Sequence, residues 1–149
     1  MAADGFTFDF RAGRERYDYQ VSVGDAGRDV LGGRGDRDHF WGLDGDDQLS
    51  GTRQNDVLYG DQGRDTLSGG DGADRLTGGS GGDRLYGGKA ADALMAGAGA
   101  DYLDEGAGHG DLNGGMGDDT LVGGAGPDAF AVDPTSGNDV IRDFTAGPG

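Results

Sequence analysis

Cysteine is absent from this 149-residue chain, proline occurs 3 times, and Lys and Arg together supply 12 residues against 28 Asp and Glu. Without thiols there is no disulfide staple and no thiolate zinc site, and the redox compartment is left open. The net charge of −16 argues against nucleic acid and anionic membrane as partners. A compact state would repel itself unless cations were taken up. No apolar run approaches the roughly 20 residues that cross a bilayer, nor the shorter core of an N-terminal signal peptide. Apolar residues make up only 34% of the chain, too few for a conventional packed core, and composition alone reads as disorder.

What the sequence does have is glycine, 35 residues of it, arranged with a period. The stretch GGDGADRLTGGSGGDRLYGG, residues 69–88, states nearly the same nine-residue phrase twice. One bulky apolar residue recurs every nine positions without a slip: Leu31, Phe40, Leu49, Leu58, Leu67, Leu76, Leu85, Leu94, Leu103, Leu112, Leu121 and Phe130. Two places before each stands an aspartate, with Gly110 the single gap. Each unit divides into a glycine-rich half that can turn through positive φ and a three-residue half suited to a very short strand.

So short a strand cannot stand alone, and stacking the units predicts an all-β parallel solenoid with two facing sheets. The twelve units predict six turns, and a strand spacing of about 4.8 Å makes the stack roughly 30 Å long. The eighth residue of each unit points inward, while the seventh and ninth face solvent. Such a thin core cannot offset the ordering entropy of the chain, so another attraction is needed. Stacked turns bring aspartates 18 residues apart close together, beside main-chain carbonyls that tight glycine turns leave free. Carboxylate and carbonyl oxygens at flexible spacing, without thiol or imidazole, favour Ca²⁺ over Zn²⁺ or Mg²⁺. About eight such ions would neutralise the net charge.

The turns sort into two edges. On one, GDAGRD, GLDGDD, GDQGRD, GGSGGD, AGAGAD and GGMGDD all keep glycine fourth and aspartate sixth, which makes Asp29, Asp47, Asp65, Asp83, Asp101 and Asp119 the first candidate metal ligands, with five sites between them. On the other, GRGDRD, GTRQND, GGDGAD, GGKAAD, EGAGHG and GGAGPD lose the fourth glycine three times and the aspartate once. Asp38, Asp56, Asp74, Asp92 and Asp128 are the candidates there, and the gap at Gly110 is expected to damage both sites it would share, unless the adjacent Asp111 reaches in. Calcium loading is therefore expected to be asymmetric.

GGDGADRLT (69–77), GGSGGDRLY (78–86) and GGMGDDTLV (114–122) resemble the RTX repeats, the glycine- and aspartate-rich nonapeptides of secreted bacterial proteins. The resemblance spans residues 24–131, and GNDVIRDF (137–144) is similar to the segment that follows the last repeat in many of these proteins. It implies a right-handed parallel β-roll that folds on meeting extracellular calcium, carried by proteins that leave the cell by type I secretion, with the chain secreted or at the cell surface. It also implies a further C-terminal flank carrying the secretion signal, and this chain reads as an excised or trimmed domain.

FTFDF (6–10) and RYDYQVSV (16–23) alternate apolar and polar residues around RAGRE, so residues 1–23 are expected to form a capping hairpin with Phe6, Phe8, Phe10, Tyr17 and Tyr19 over the first turn. Residues 132–149 form the opposite cap or flank, with Phe130, Val132, Val140, Ile141 and Phe144 available to it. Outward ninth positions on one sheet stack Trp41, Tyr59, Thr77, Met95, Asn113 and Ala131. This stripe is read first as cross-strand pairing or as a face over which the N-terminal segment folds, and alternatively as a face for a partner domain or ligand. The latter reading would make the chain an adhesion or binding scaffold stiffened by calcium. The chain is read as a monomer and as no enzyme. Ser80 within GGSGG lacks the strand-to-helix setting of a nucleophile elbow, and His39 and His109 share no metal spacing. The RGD triplet at 34–36 is expected by chance in so biased a chain, and Arg75 and Arg84 read as solvated charges.

Overall fold

Glycine-rich turns alternating with extended triplets wind the chain into coils whose strands fall on two facing sheets. The computed structural model describes residues 6–10, 19–133 and 136–143, and no helix occurs among them. One sheet has eight strands: β1 (Phe6–Phe10), β2 (Tyr19–Val23), β4 (Arg37–Asp44), β6 (Val57–Gln62), β8 (Arg75–Ser80), β10 (Ala93–Ala98), β12 (Asp111–Met116) and β14 (Ala129–Ala131). The other has seven: β3 (Val30–Gly32), β5 (Gln48–Arg53), β7 (Thr66–Asp71), β9 (Arg84–Ala90), β11 (Tyr102–Gly108), β13 (Thr120–Val122) and β15 (Val140–Arg142). From β2 onward successive strands alternate between the sheets, and each pairs in parallel with the strand one coil away. This is the parallel β-roll expected from the nine-residue period.

The roll has about seven coils, one more than the twelve units predict. β2 lies one coil ahead of β4 and sets Ser22 opposite Phe40. A polar residue thus holds the first inward place, buried to 1% exposure, where its hydroxyl accepts a hydrogen bond of 3.1 Å from the Gln20 side-chain amide. β15 completes the last coil by setting Ile141 opposite Leu121, at a separation of 20 residues because residues 132–139 number two more than a regular six-residue turn. Between these ends the leucines stack in register, Leu58 on Leu76 on Leu94 in one sheet and Leu67 on Leu85 on Leu103 in the other. Phe40 and every leucine from Leu49 to Leu121 on this series are at most 2% exposed. Leu31, Phe130 and Ile141 close the ends, partly buried against that core.

Most strands exceed the expected triplet. β8 is six residues long because Gly78, Gly79 and Ser80 continue pairing, with Gly79 opposite Gly97 in β10. In turns such as 78–83 only the last three residues leave the sheet, and β9 and β11 run one residue further. The fourth residue of most hexads takes positive φ, as Gly81 shows at +138°, and a Cβ there would strike the carbonyl of Gly63 in the preceding coil. Where this glycine is replaced on the less regular edge, Gln54 and Ala90 adopt φ of 68° and 84°, so the coil keeps its path at the cost of local strain.

At the N-terminal end β1 pairs antiparallel with β2, from Phe6 opposite Val23 to Phe10 opposite Tyr19, and so covers the open edge of the larger sheet. Tyr17, the RAGRE segment and Phe144 lie outside the described residues. Near the other end Val132 and Val140 are 53% and 50% exposed, so closure there falls to Phe130 and Ile141. The outward stripe is in register from Trp41 to Ala131. Its aromatic half is occupied by itself: the Trp41 and Tyr59 rings stack at 5.6 Å with 13° between planes, and His39 sits between Tyr19 and Trp41.

Leu76→Ala, at the middle of the stack, is expected to destabilise the folded roll by about 2–5 kcal/mol in chemical unfolding. Leu31→Ala, at the half-exposed end, is expected to cost clearly less in the same measurement.

Candidate metal sites on the two edges

The sixth residue of each hexad is the last before the strand resumes, and there the chain brings an aspartate side chain inside the turn. On the regular edge each of these residues donates its main-chain N–H to the Oδ1 of the equivalent aspartate one coil on: Asp29 to Asp47 at 2.7 Å, Asp47 to Asp65 at 2.9 Å, Asp65 to Asp83 at 2.9 Å, Asp83 to Asp101 at 2.7 Å and Asp101 to Asp119 at 2.9 Å. The other edge repeats the ladder from Asp38 to Asp56, Asp74 and Asp92, at 2.8, 2.8 and 2.9 Å, and resumes where Gly110 donates to Asp128 at 3.0 Å. Ten of the eleven candidate aspartates are at most 3% exposed, and Asp128 is half-buried.

From Asp47 on one edge and Asp56 on the other, the ladder gives Oδ1 of the carboxylates a donor. Oδ2 of Asp47, Asp56, Asp65, Asp74, Asp83, Asp92, Asp101 and Asp119 is buried without a hydrogen-bond partner. An ionised oxygen in that condition is expensive, and a column of them repels itself. Oδ2 faces the first residue of its own hexad wherever that residue is glycine, and at several turns a carbonyl of the next coil lies beside it. A Cβ on Gly42 would collide with Oδ2 of Asp47 and lie 2.8 Å from the Gly60 carbonyl oxygen. On Gly60 it would meet Asp65 and the Gly78 carbonyl, and on Gly78 Asp83 and the Ala96 carbonyl. Glycine keeps this small space open for two oxygens from different coils. Among the described residues no three acidic, histidine or cysteine side chains converge, so the donor set is one of carboxylates with main-chain carbonyls. That set fits a hard divalent cation of flexible coordination, as calcium is. Bound there, calcium supplies the positive charge that the orphaned oxygens lack.

Two acidic residues take places that the aspartate count passes over. Asp139 extends the regular column into the last coil, its Oδ1 accepting the Asp119 N–H at 3.1 Å. The two-residue insertion before it breaks the spacing, but the apolar Ile141 two places on marks its position. Glu105 is fully buried in the turn that ends at Gly110. Asp111, by contrast, begins β12 on the exposed face and does not enter the turn. His109 is exposed, and Ser80 is exposed at the end of β8.

A family model for the RTX calcium-binding nonapeptide repeat matches residues 22–49, 41–76, 50–85, 68–103, 77–112 and 106–130. The chain belongs to this family. Comparison with curated proteins and with solved structures gives no match. The RTX assignment and the geometry describe the same object, a calcium-binding β-roll module, with the matched repeats ending where β14 ends its stack.

Without cations the carboxylates of the RTX roll hold protons strongly. Burial raises Asp56 and Asp65 to about 7 and Asp92 and Asp101 to about 6 from an ordinary 3.8, against the opposing pull of the main-chain N–H each accepts. Burial pushes Asp47, Asp74, Asp83 and Asp119 in the same direction. Because the folded values lie above those of the open chain, the metal-free roll binds more protons than the coil between pH 3.8 and about 7. Its stability is then present below that window and is lost as pH rises through it. Circular dichroism of the metal-free protein is expected to show increasing β-structure as the pH is lowered from 7.5 to 4.5. At subsaturating calcium the sign reverses, since protons compete for the same oxygens.

Proposed function

We propose that the chain is a calcium-responsive folding module of an exported bacterial protein, open where calcium is scarce and a rigid roll where it is abundant. The column of buried Oδ2 atoms carries this reading. No donor among the described residues satisfies them, and they sit on both edges of a stack whose hydrophobic interior is little more than a single row of side chains per sheet. Asp29, Asp47, Asp65, Asp83, Asp101 and Asp119 would hold ions along one edge, and Asp38, Asp56, Asp74, Asp92 and Asp128 along the other, with main-chain carbonyls completing each site.

In the open chain these residues are far apart, so no site exists to be filled, and the free energy of binding is free energy of folding. Extracellular calcium modules bind at about 10⁻⁴ to 10⁻³ M, which suits a chain that must stay open inside a cell and close outside it. An open chain can thread a secretion channel of the type I kind, and a closed roll cannot slip back. Secretion, or display at the cell surface, follows from that logic together with the family's usual setting.

Circular dichroism during calcium titration tests the reading, with magnesium as control. A cooperative rise in β-signal over the submillimolar to millimolar range is expected for calcium, and little change for magnesium, whose stiff octahedral demands the turn oxygens do not meet. A chain equally folded in chelator at pH 7.5 would overturn it.

A further inference from the structure

One turn of the RTX roll carries its acidic residue at the wrong end. In EGAGHG, residues 105–110, glutamate stands first and glycine sixth, the reverse of the surrounding turns on that edge. Those neighbours show why the two places are linked. A Cβ on Gly51 would collide with the carboxylate of Asp56, and one on Gly69, Gly87 or Gly123 with that of Asp74, Asp92 or Asp128. The first and sixth places of a hexad share one volume, with room for one carboxylate. At 105–110 the collision runs the other way: a Cβ on Gly110 would strike Cγ of Glu105 and lie 2.9 Å from its Cβ.

The glutamate side chain therefore fills the space that an aspartate at 110 would occupy. It is 0% exposed, and neither Oε1 nor Oε2 has a hydrogen-bond partner, the same condition as Oδ2 of Asp92 in the coil before it. The backbone does not shift to accommodate the exchange. The Gly110 N–H keeps its 3.0 Å bond to Oδ1 of Asp128, and the Glu105 carbonyl lies 2.8 Å from the Cβ position of Gly87, beside Oδ2 of Asp92. The exchange moves the point of attachment of a carboxylate by five residues and leaves it in the same turn.

We infer that Glu105 replaces the missing aspartate at position 110 as a calcium ligand, so that the less regular edge carries an unbroken column of carboxylates from Asp38 to Asp128. The inference rests on the reading of both edges as calcium sites and assigns to them a residue outside the nonapeptide pattern. A glutamate that merely fills the space, protonated and unligated, would give the same packing and no effect on ion count.

Calcium stoichiometry by equilibrium dialysis of the full chain at neutral pH separates the two. Glu105→Gln preserves shape and removes the charge, and is expected to lose about one to two bound ions and to raise the calcium midpoint for folding several-fold. Gly110→Asp alone places two carboxylates in one volume and is expected to raise the midpoint. Glu105→Gly combined with Gly110→Asp restores the usual order and is expected to return both stoichiometry and midpoint to those of the unaltered chain. Unchanged stoichiometry in Glu105→Gln would overturn the assignment, as would a double variant that binds more ions than the unaltered chain. Should Glu105→Gln not fold, the double variant decides alone. Failure of the unaltered chain to bind calcium at all would instead remove the reading of the edges on which this one rests.

Discussion

Everything in this molecule turns on a half-satisfied carboxylate. In all but one of the repeat turns an aspartate side chain enters. From Asp47 and Asp56 onward it accepts one main-chain N–H from the coil before it and, as at Asp65 and Asp74, leaves its second oxygen without a donor among the described residues. The first contact fixes register, because it links equivalent residues 18 apart. The second creates a demand that only a proton or a cation can meet. Fold and function are therefore one arrangement seen twice: the hydrogen bond that stacks the coils is made by the group that the ion must neutralise. The leucine rows contribute burial, but each sheet has little more than one inward apolar side chain per coil.

The glycines are the counterpart of that carboxylate. At the first place of the hexad their lack of a side chain leaves room for Oδ2 and a neighbouring carbonyl, and at the fourth it permits a left-handed turn against the preceding coil. Gln54 and Ala90 show that the second requirement bends: both reach positive φ with a side chain attached. The first is stricter. Ala96 is the largest residue standing there beside an aspartate, and Glu105 stands there only where the sixth place is glycine. The less regular edge thus departs from the repeat in two different ways, by local strain in some turns and by exchange of places in another.

The period of nine made most of this legible before any coordinates. It identified the inward row from Leu31 to Phe130, the two edges and the aspartate columns, because a stack of identical turns turns spacing in sequence directly into adjacency in space. What it hid lies where composition and spacing part. Ser22 occupies an inward place with a polar side chain, and Ile141 follows an insertion of two residues, so the first and last coils escaped the count. Asp139 was lost with the latter. Glu105 is hidden because a gap at 110 points to its sequence neighbour Asp111, whereas the fold fills the space from five residues upstream. The strands run longer than triplets because glycine at the second place keeps pairing despite its left-handed backbone.

A coil of this roll is two phrases long, and the two phrases are not interchangeable. Every pairing within the repeats joins residues 18 apart, and alternate hexads have drifted into separate dialects, one strict and one permissive. Excising or duplicating 18 residues would leave each remaining segment on its own side of the molecule. Excising nine would carry every later segment across to the opposite side, and the permissive turns would meet the strict ones face to face. The heritable unit of growth for such a stack is thus the double phrase, which is why the length of the roll can vary by whole coils without the rest of its grammar being rewritten.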